Sequence, residues 1–207
     1  MDLMRLATGE RADFADFLET LSPAHWTVPS LCAGWSVRDV VAHVISYDEL
    51  DARGLLRRLT KGRFLLGRSN AVGVAEAADR HPGELVAALR KYQRPRGLTA
   101  GLGGRVALLD GLIHQQDIRR PLGLPREIPE PRLRAALTFA RFAPPIGAFW
   151  RARGLRLVAT DIGWTDGRGP ELRGPGEALL LAIAGRDCAA GELDGPGAEI
   201  LARRLGV

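Results

Sequence analysis

Lysine is nearly missing from this chain: Lys61 and Lys91 are the only two among 29 basic residues. The net charge of +5 is therefore carried by arginine. Arginine excess of this kind also follows from a GC-rich genome, so it gives no argument for a nucleic-acid partner, and none is expected. Only the stretch Arg53–Arg68, with Arg57, Arg58, Lys61, Arg63 and Arg68, concentrates the charge, and it reads as a solvated helix end. Cysteine is as scarce. Cys32 and Cys188 lie far apart and form no CxxC pair, which excludes a disulfide framework and a zinc knuckle and makes a reducing cytoplasm the expected location. Long apolar runs are absent too. No stretch approaches the roughly 18 uninterrupted apolar residues of a membrane span, and the charged start MDLMRLATGERADF is unlike a signal peptide, so no membrane partner is expected.

What is present suffices for folding. With 207 residues, 46% of them apolar, the chain can bury a real core as one domain, or as a larger domain with a small appendage. To about residue 150 the apolar period is helical, punctuated by Gly and Pro. Leu6, Phe14, Phe17, Leu18 and Leu21 line a first helix that Ser22-Pro23 closes. A second begins at Ser36, where Ser36 and Asp39 form a capping box, and is expected to run to about Arg58. A third follows His81-Pro82, with Leu85, Val86, Leu89 and Tyr92 as its stripe. The fourth spans about Gly104 to Arg119 and ends at Pro121; a fifth spans about Pro131 to Phe142. This pattern predicts a mainly α fold, a helical bundle over residues 1–150.

The tail, residues 151–207, reads as a small α+β domain. LRLVATDIGW alternates like a half-buried strand, GRGPELRG reads as a turn and a short second strand, and Gly-Pro-Gly at 174–176 and 195–197 opens two helices. Gly-rich helix openings can cradle phosphate, but no GK[ST] follows, so no nucleotide site is expected.

Four histidines are available: His25, His43, His81 and His114. His25 sits in a turn beside Trp26 and His81 precedes a proline, so both read as surface or capping residues. His43 sits among apolar residues at helical spacing in SVRDVVAHVISYDEL. Asp110 and His114 in VALLDGLIHQQDIRR are four apart and share a helix face. Three readings stand: an Asp110–His114 hydrogen bond with His43 satisfied separately, an acid–base couple acting on a substrate, or a divalent metal held by His43, Asp110 and His114 across facing helices. In the metal reading Asp117, one turn beyond His114, orients a ligand or polarises a bound water. Cys32, with no His–Asp arrangement beside it in the sequence, reads as a packing residue. Trp35 either walls a pocket or anchors the loop entering the second helix. Arg119, Arg120 and Arg186 are candidate partners for substrate carboxylates, with Arg119 and Arg186 preferred.

WTVPSLCAGWSVRDVVAHV (26–44) and LLDGLIHQQDIRRPLGLP (108–125) resemble the mycothiol-dependent maleylpyruvate isomerase family, within the wider DinB-like group of metal-binding four-helix bundles. The tail LRLVATDIGWTDGRGPELRGPGEALLLAIAGR is similar to the small C-terminal domain of that family. The resemblance implies a divalent metal, usually zinc, held at the positions of His43, Asp110 and His114. It also implies mycothiol, a low-molecular-weight thiol, as cosubstrate for transfer to, or cis–trans isomerisation of, a small electrophile. The family usually carries glutamate where this chain has Asp110, one methylene shorter. The competing expectation is a non-catalytic module that binds a small molecule or a protein on the same bundle.

Overall fold

The structure, a computed structural model, describes residues 2–207. Helix α1 (Leu3–Glu19) starts where the Asp2 side chain accepts the Arg5 N–H. It turns Ala7, Phe14, Ala15, Phe17 and Leu18 inward. Ser36 and Asp39 close the expected capping box at the start of α2 (Val37–Ile45). Asp51 caps α3 (Ala52–Lys61) by accepting the Gly54 N–H, and α4 (Leu66–Glu76) follows. His81 and Glu84 box the start of α5 (Pro82–Lys91), with Pro82 in the first turn, where its missing N–H costs nothing. Helix α6 (Arg105–Leu122) ends on Gly123 in a left-handed cap.

Helix α1 meets α5 and α6, and α2 meets the same two, so these four close into the expected bundle. Phe14, Leu18, Ile45, Leu85 and Leu89 are almost wholly buried in its core, each contributing about 1.5–3 kcal/mol through removal of apolar surface from water. Helices α3 and α4 pack on each other and α4 reaches α2. A Cβ on Gly104, which sits at φ +93°, would stand 3.0 Å from Met4 Cα, so glycine lets the start of α6 lie tightly against α1.

Two expectations change here. The helix begun at Ser36 ends at Ile45 and does not continue to Arg58. The intervening turn lets the buried Asp48 carboxylate accept both Arg11 Nη groups, at 2.9 and 2.8 Å, the Arg96 N–H at 3.0 Å and the Thr99 hydroxyl at 2.7 Å. Pro121 does not end the fourth helix; it lies in its last turn. Asp117 O, the carbonyl that residue 121 would have bonded, instead accepts the Leu31 N–H at 3.0 Å.

The compact units divide between Arg126 and Glu127 and not near residue 150. Helix α7 (Glu130–Ala140), grouped with the bundle in the sequence reading, buries Leu133, Ala136, Leu137 and Ala140 within the second unit and packs on its most apolar helix, Gly176–Ile183. The short α8 (Ala148–Ala152) precedes three strands, β1 (Arg156–Ala159), β2 (Trp164–Gly167) and β3 (Glu171–Gly174). The expected single strand over 155–164 thus breaks at Thr160, and β1 becomes the central strand, antiparallel to β2 and parallel to β3. Leu157 stands opposite Asp166 on one side and Leu172 on the other. Helices α9 (Gly176–Ile183) and α10 (Ala198–Leu205) follow the two Gly-Pro-Gly openings. No helix among the described residues is long and apolar enough to cross a membrane.

Candidate metal centre

His43 lies in the last turn of α2, where Val40, Val41, Val44 and Ile45 fix the helix in the core around it. Asp110 and His114 are one turn apart on α6, and the contact between α2 and α6 brings the three together. Asp110 Oδ1 stands 3.7 Å from His43 Nε2 and 3.4 Å from His114 Nε2. Donors around a tetrahedral ion with bonds of about 2.0–2.1 Å lie roughly 3.3 Å apart, so both distances from Asp110 are near the spacing a zinc-sized ion needs. The shorter aspartate reaches both imidazoles, and the missing methylene does not open the cluster. Asp110 is 27% exposed against 8% for His43 and 12% for His114, so solvent reaches the cluster from the carboxylate side.

The electrostatics are those of a carboxylate between two imidazoles. Burial pushes the Asp110 carboxyl up, but His114 and then His43 outweigh it and hold it well below the usual carboxylate range. Burial likewise opposes charge on His114, yet Asp110, with support from Asp117 and Cys32, raises its pKa well above the ordinary value.

His114 is also held from behind. Its Nδ1 lies 2.9 Å from Asp117 Oδ2 on the same helix, and Asp117 is fully buried. An Nδ1–H donated to that carboxylate leaves Nε2 with its lone pair facing Asp110 and His43. His43 is held differently. Its Nδ1 is buried with no hydrogen-bond partner, and aromatic packing orients the ring: Trp35 lies 5.2 Å away by ring centroids and Tyr47 is edge-on at 6.4 Å. Trp35 therefore lines the cluster as well as packing against the bundle core.

Cys32 corrects the sequence reading. Its thiol donates to Asp117 Oδ2 at 3.1 Å and its Sγ lies 3.7 Å from His114 Nδ1. The His–Asp pair absent from its sequence neighbourhood is supplied by α6. Two clusters thus share His114: His43, Asp110 and His114, and Cys32, His114 and Asp117, each with donor atoms within 4.8 Å of one another. Tyr47 was also missed, although it lies one turn after His43 and that spacing could have found it. Its hydroxyl donates to Asn70 Oδ1 at 2.7 Å; burial raises its pKa, with Arg58 opposing and Asp110 adding to the rise.

The two preferred arginines have partners of their own. Arg119 faces α1: its guanidinium lies 3.6 Å over the Phe17 ring, and its Nε donates to Gln115 Oε1 at 2.9 Å. Arg186 belongs to the second unit, where its Nη1 donates to Ala184 O at 3.1 Å.

Residues 7–96 match the family model described as the mycothiol maleylpyruvate isomerase N-terminal domain, a span that includes Cys32, Trp35 and His43 and stops before α6. No curated protein matches the chain. Among solved structures, the mycothiol-dependent maleylpyruvate isomerase is similar at 16% identity with a TM-score of 0.55, covering 94% of this chain and 92% of that one. A histidine-to-alanine mutant of that isomerase is similar at 15% identity and a TM-score of 0.56, with the same coverage. Residues 7–96 are thus similar to the mycothiol maleylpyruvate isomerase N-terminal domain, and the fold of the chain is similar to that of the mycothiol-dependent maleylpyruvate isomerase.

Proposed function

We propose that this protein is a metal-dependent enzyme that uses mycothiol, or a related low-molecular-weight thiol, to act on a small electrophile. The observation that carries this reading is the convergence of His43 Nε2 and His114 Nε2 on Asp110 Oδ1, a three-donor set that leaves a fourth position free. His43, Asp110 and His114 would hold the ion, with zinc the best match to two imidazoles and a carboxylate at this spacing. A divalent cation bound there stabilises the thiolate form of a thiol at neutral pH.

The chain's own residues do the rest. Asp117 fixes the His114 tautomer, and Asp110 supplies one negative charge against a dication, leaving a single positive charge that a bound thiolate would balance. Trp35 and Tyr47 restrict the approach around His43, so a ligand enters from the exposed Asp110 side. A thiolate kept beside Asp110 would be the nucleophile for an activated carbon–carbon double bond, whose π electrons would pass to the conjugated carbonyl. Rotation about the new single bond and expulsion of the same thiolate would return the double bond in the other geometry. The thiol is regenerated and nothing is oxidised. Retention of the carbon–sulfur bond, with protonation of the carbanion, gives thiol transfer.

The test is metal content of purified protein together with mycothiol-dependent turnover of cis-configured unsaturated dicarbonyl acids. About one equivalent of metal, lost with turnover in His43→Ala and in His114→Ala, supports the enzyme. Ligand binding that survives in both variants without turnover in any form supports the non-catalytic module instead.

A further inference from the structure

Asp117 gathers contacts from its own helix and from the loop before α2, and the metal reading uses only the one to His114. Its carboxylate accepts from His114 Nδ1 at 2.9 Å and from the Cys32 thiol at 3.1 Å, both through Oδ2. Its backbone carbonyl accepts the Leu31 N–H at 3.0 Å. That carbonyl is available because Pro121, four residues on, has no N–H to offer it. The carbonyl freed by Pro121 therefore docks the loop carrying Cys32 onto α6. The loop itself is closed by Ser30, whose hydroxyl donates to Trp35 O at 2.8 Å and accepts the Cys32 N–H at 3.1 Å.

We infer that Cys32 is a positioning residue for this site: its thiol holds the Asp117 carboxylate in the rotamer that fixes His114, and Pro121 keeps the loop that presents it in place. Chemistry favours this role over ligation. The Sγ atom lies on the Nδ1 side of His114, whereas His43 and Asp110 face Nε2. Asp117 is fully buried, and a buried carboxylate is stable only when its oxygens are hydrogen-bonded. Two donors on one oxygen leave it little freedom to rotate away from the imidazole. Removal of the thiol lets the carboxylate turn and the His114 tautomer mix.

The inference rests on the metal reading for its effect on affinity, and the test separates the two. Zinc affinity is measured by chelator competition for the full chain and for Cys32→Ala, Cys32→Ser, Asp117→Asn, the Cys32→Ala/Asp117→Asn double variant and Pro121→Ala. Nitrogen NMR of the neutral imidazoles is recorded in metal-free protein at alkaline pH. Cys32→Ala is expected to bind zinc roughly tenfold more weakly, the lower end of the effect of removing an outer partner of a ligating histidine. Cys32→Ser, whose hydroxyl still donates, restores most of the loss, and the double variant binds no more weakly than Asp117→Asn alone. Pro121→Ala gives residue 121 an N–H that competes with Leu31 and weakens zinc in the same direction, so the inference stands even where Cys32→Ala folds poorly. The His114 imidazole carries its proton on Nδ1 in wild type and Cys32→Ser, and is mixed in Cys32→Ala. Additive losses in the double variant, or unchanged affinity and tautomer in Cys32→Ala, overturn the inference. So does a sulfur-to-metal charge-transfer band in the cobalt-loaded protein that disappears in Cys32→Ser, which would make Cys32 a ligand. A wild-type protein that takes no zinc defeats the metal reading alone, because the imidazole tautomers still decide the role of Cys32.

Discussion

His43 and His114 meet edge to face, with ring centroids 4.9 Å apart, although one closes α2 and the other stands mid-way along α6. His43 depends on the other helix for its partner, since Asp110, one turn from His114 on α6, stands near both Nε2 atoms. Replacement of either by alanine is expected to remove the metal entirely, from about one equivalent to none, while the far-ultraviolet circular dichroism of the bundle is kept. Elemental analysis of the untagged variants checks this. Metal retained in both would show that the cluster is an ordinary hydrogen-bonded group.

Asp110 separates charge from reach. Asp110→Asn keeps the shape and removes the anion between two imidazoles, so it should lower zinc affinity by at least about tenfold. Asp110→Glu adds one methylene at the 27% exposed edge of the cluster, where the longer chain has room to bend outward, and should retain binding. Calorimetric titration of the two variants measures the difference. Equal loss in both would point to steric fit over charge.

Zinc must displace a proton. Burial opposes charge on His114, but Asp110 and Asp117 outweigh it and raise its pKa well above the usual value in the metal-free protein. Protons therefore compete for the site already at neutral pH, and apparent zinc affinity should fall as pH falls, by about tenfold per unit for each proton displaced. Titrations in buffers of different ionisation enthalpy count the protons released. A flat profile between pH 6 and 8 would contradict the assignment of His114 as a ligand.

Arg11 and Asp48 form a buried ion pair that ties α1 to the turn after α2. The pair is bidentate and its side chains are 1% and 0% exposed. Asp48→Ala leaves the guanidinium buried without its counter-charge, and the expected loss is about 3–5 kcal/mol in urea denaturation. The Thr99 hydroxyl and Arg96 N–H lose the same acceptor, so the loop from residue 93 to 100 should exchange its amides faster. A loss below about 1 kcal/mol would mean that water replaces the carboxylate.

The helices that build the bundle were legible because their signals are local. Ser36 with Asp39, His81-Pro82 and the apolar stripes of Phe14, Leu18, Leu85 and Leu89 each act within one or two turns of chain. The i,i+4 spacing of Asp110 and His114 was readable for the same reason, and His43 stood out as an imidazole among apolar residues at helical spacing. What failed lay where a distant residue competes with local propensity. Asp48 leaves the helical path to meet Arg11, and the stripe of α7 has the right period for the bundle but packs on α9.

By itself the sequence determined a mainly helical chain with a small α+β end, and one helix face carrying Asp110, His114 and Asp117, since helical period depends on nothing but neighbouring residues. Only the tertiary structure decided that Cys32 belongs to that face. Its thiol reaches Asp117 because Pro121 withholds a backbone N–H and Leu31 takes the carbonyl left open. A hydrogen bond between residues so far apart in sequence exists only once α6 and the loop before α2 are packed together.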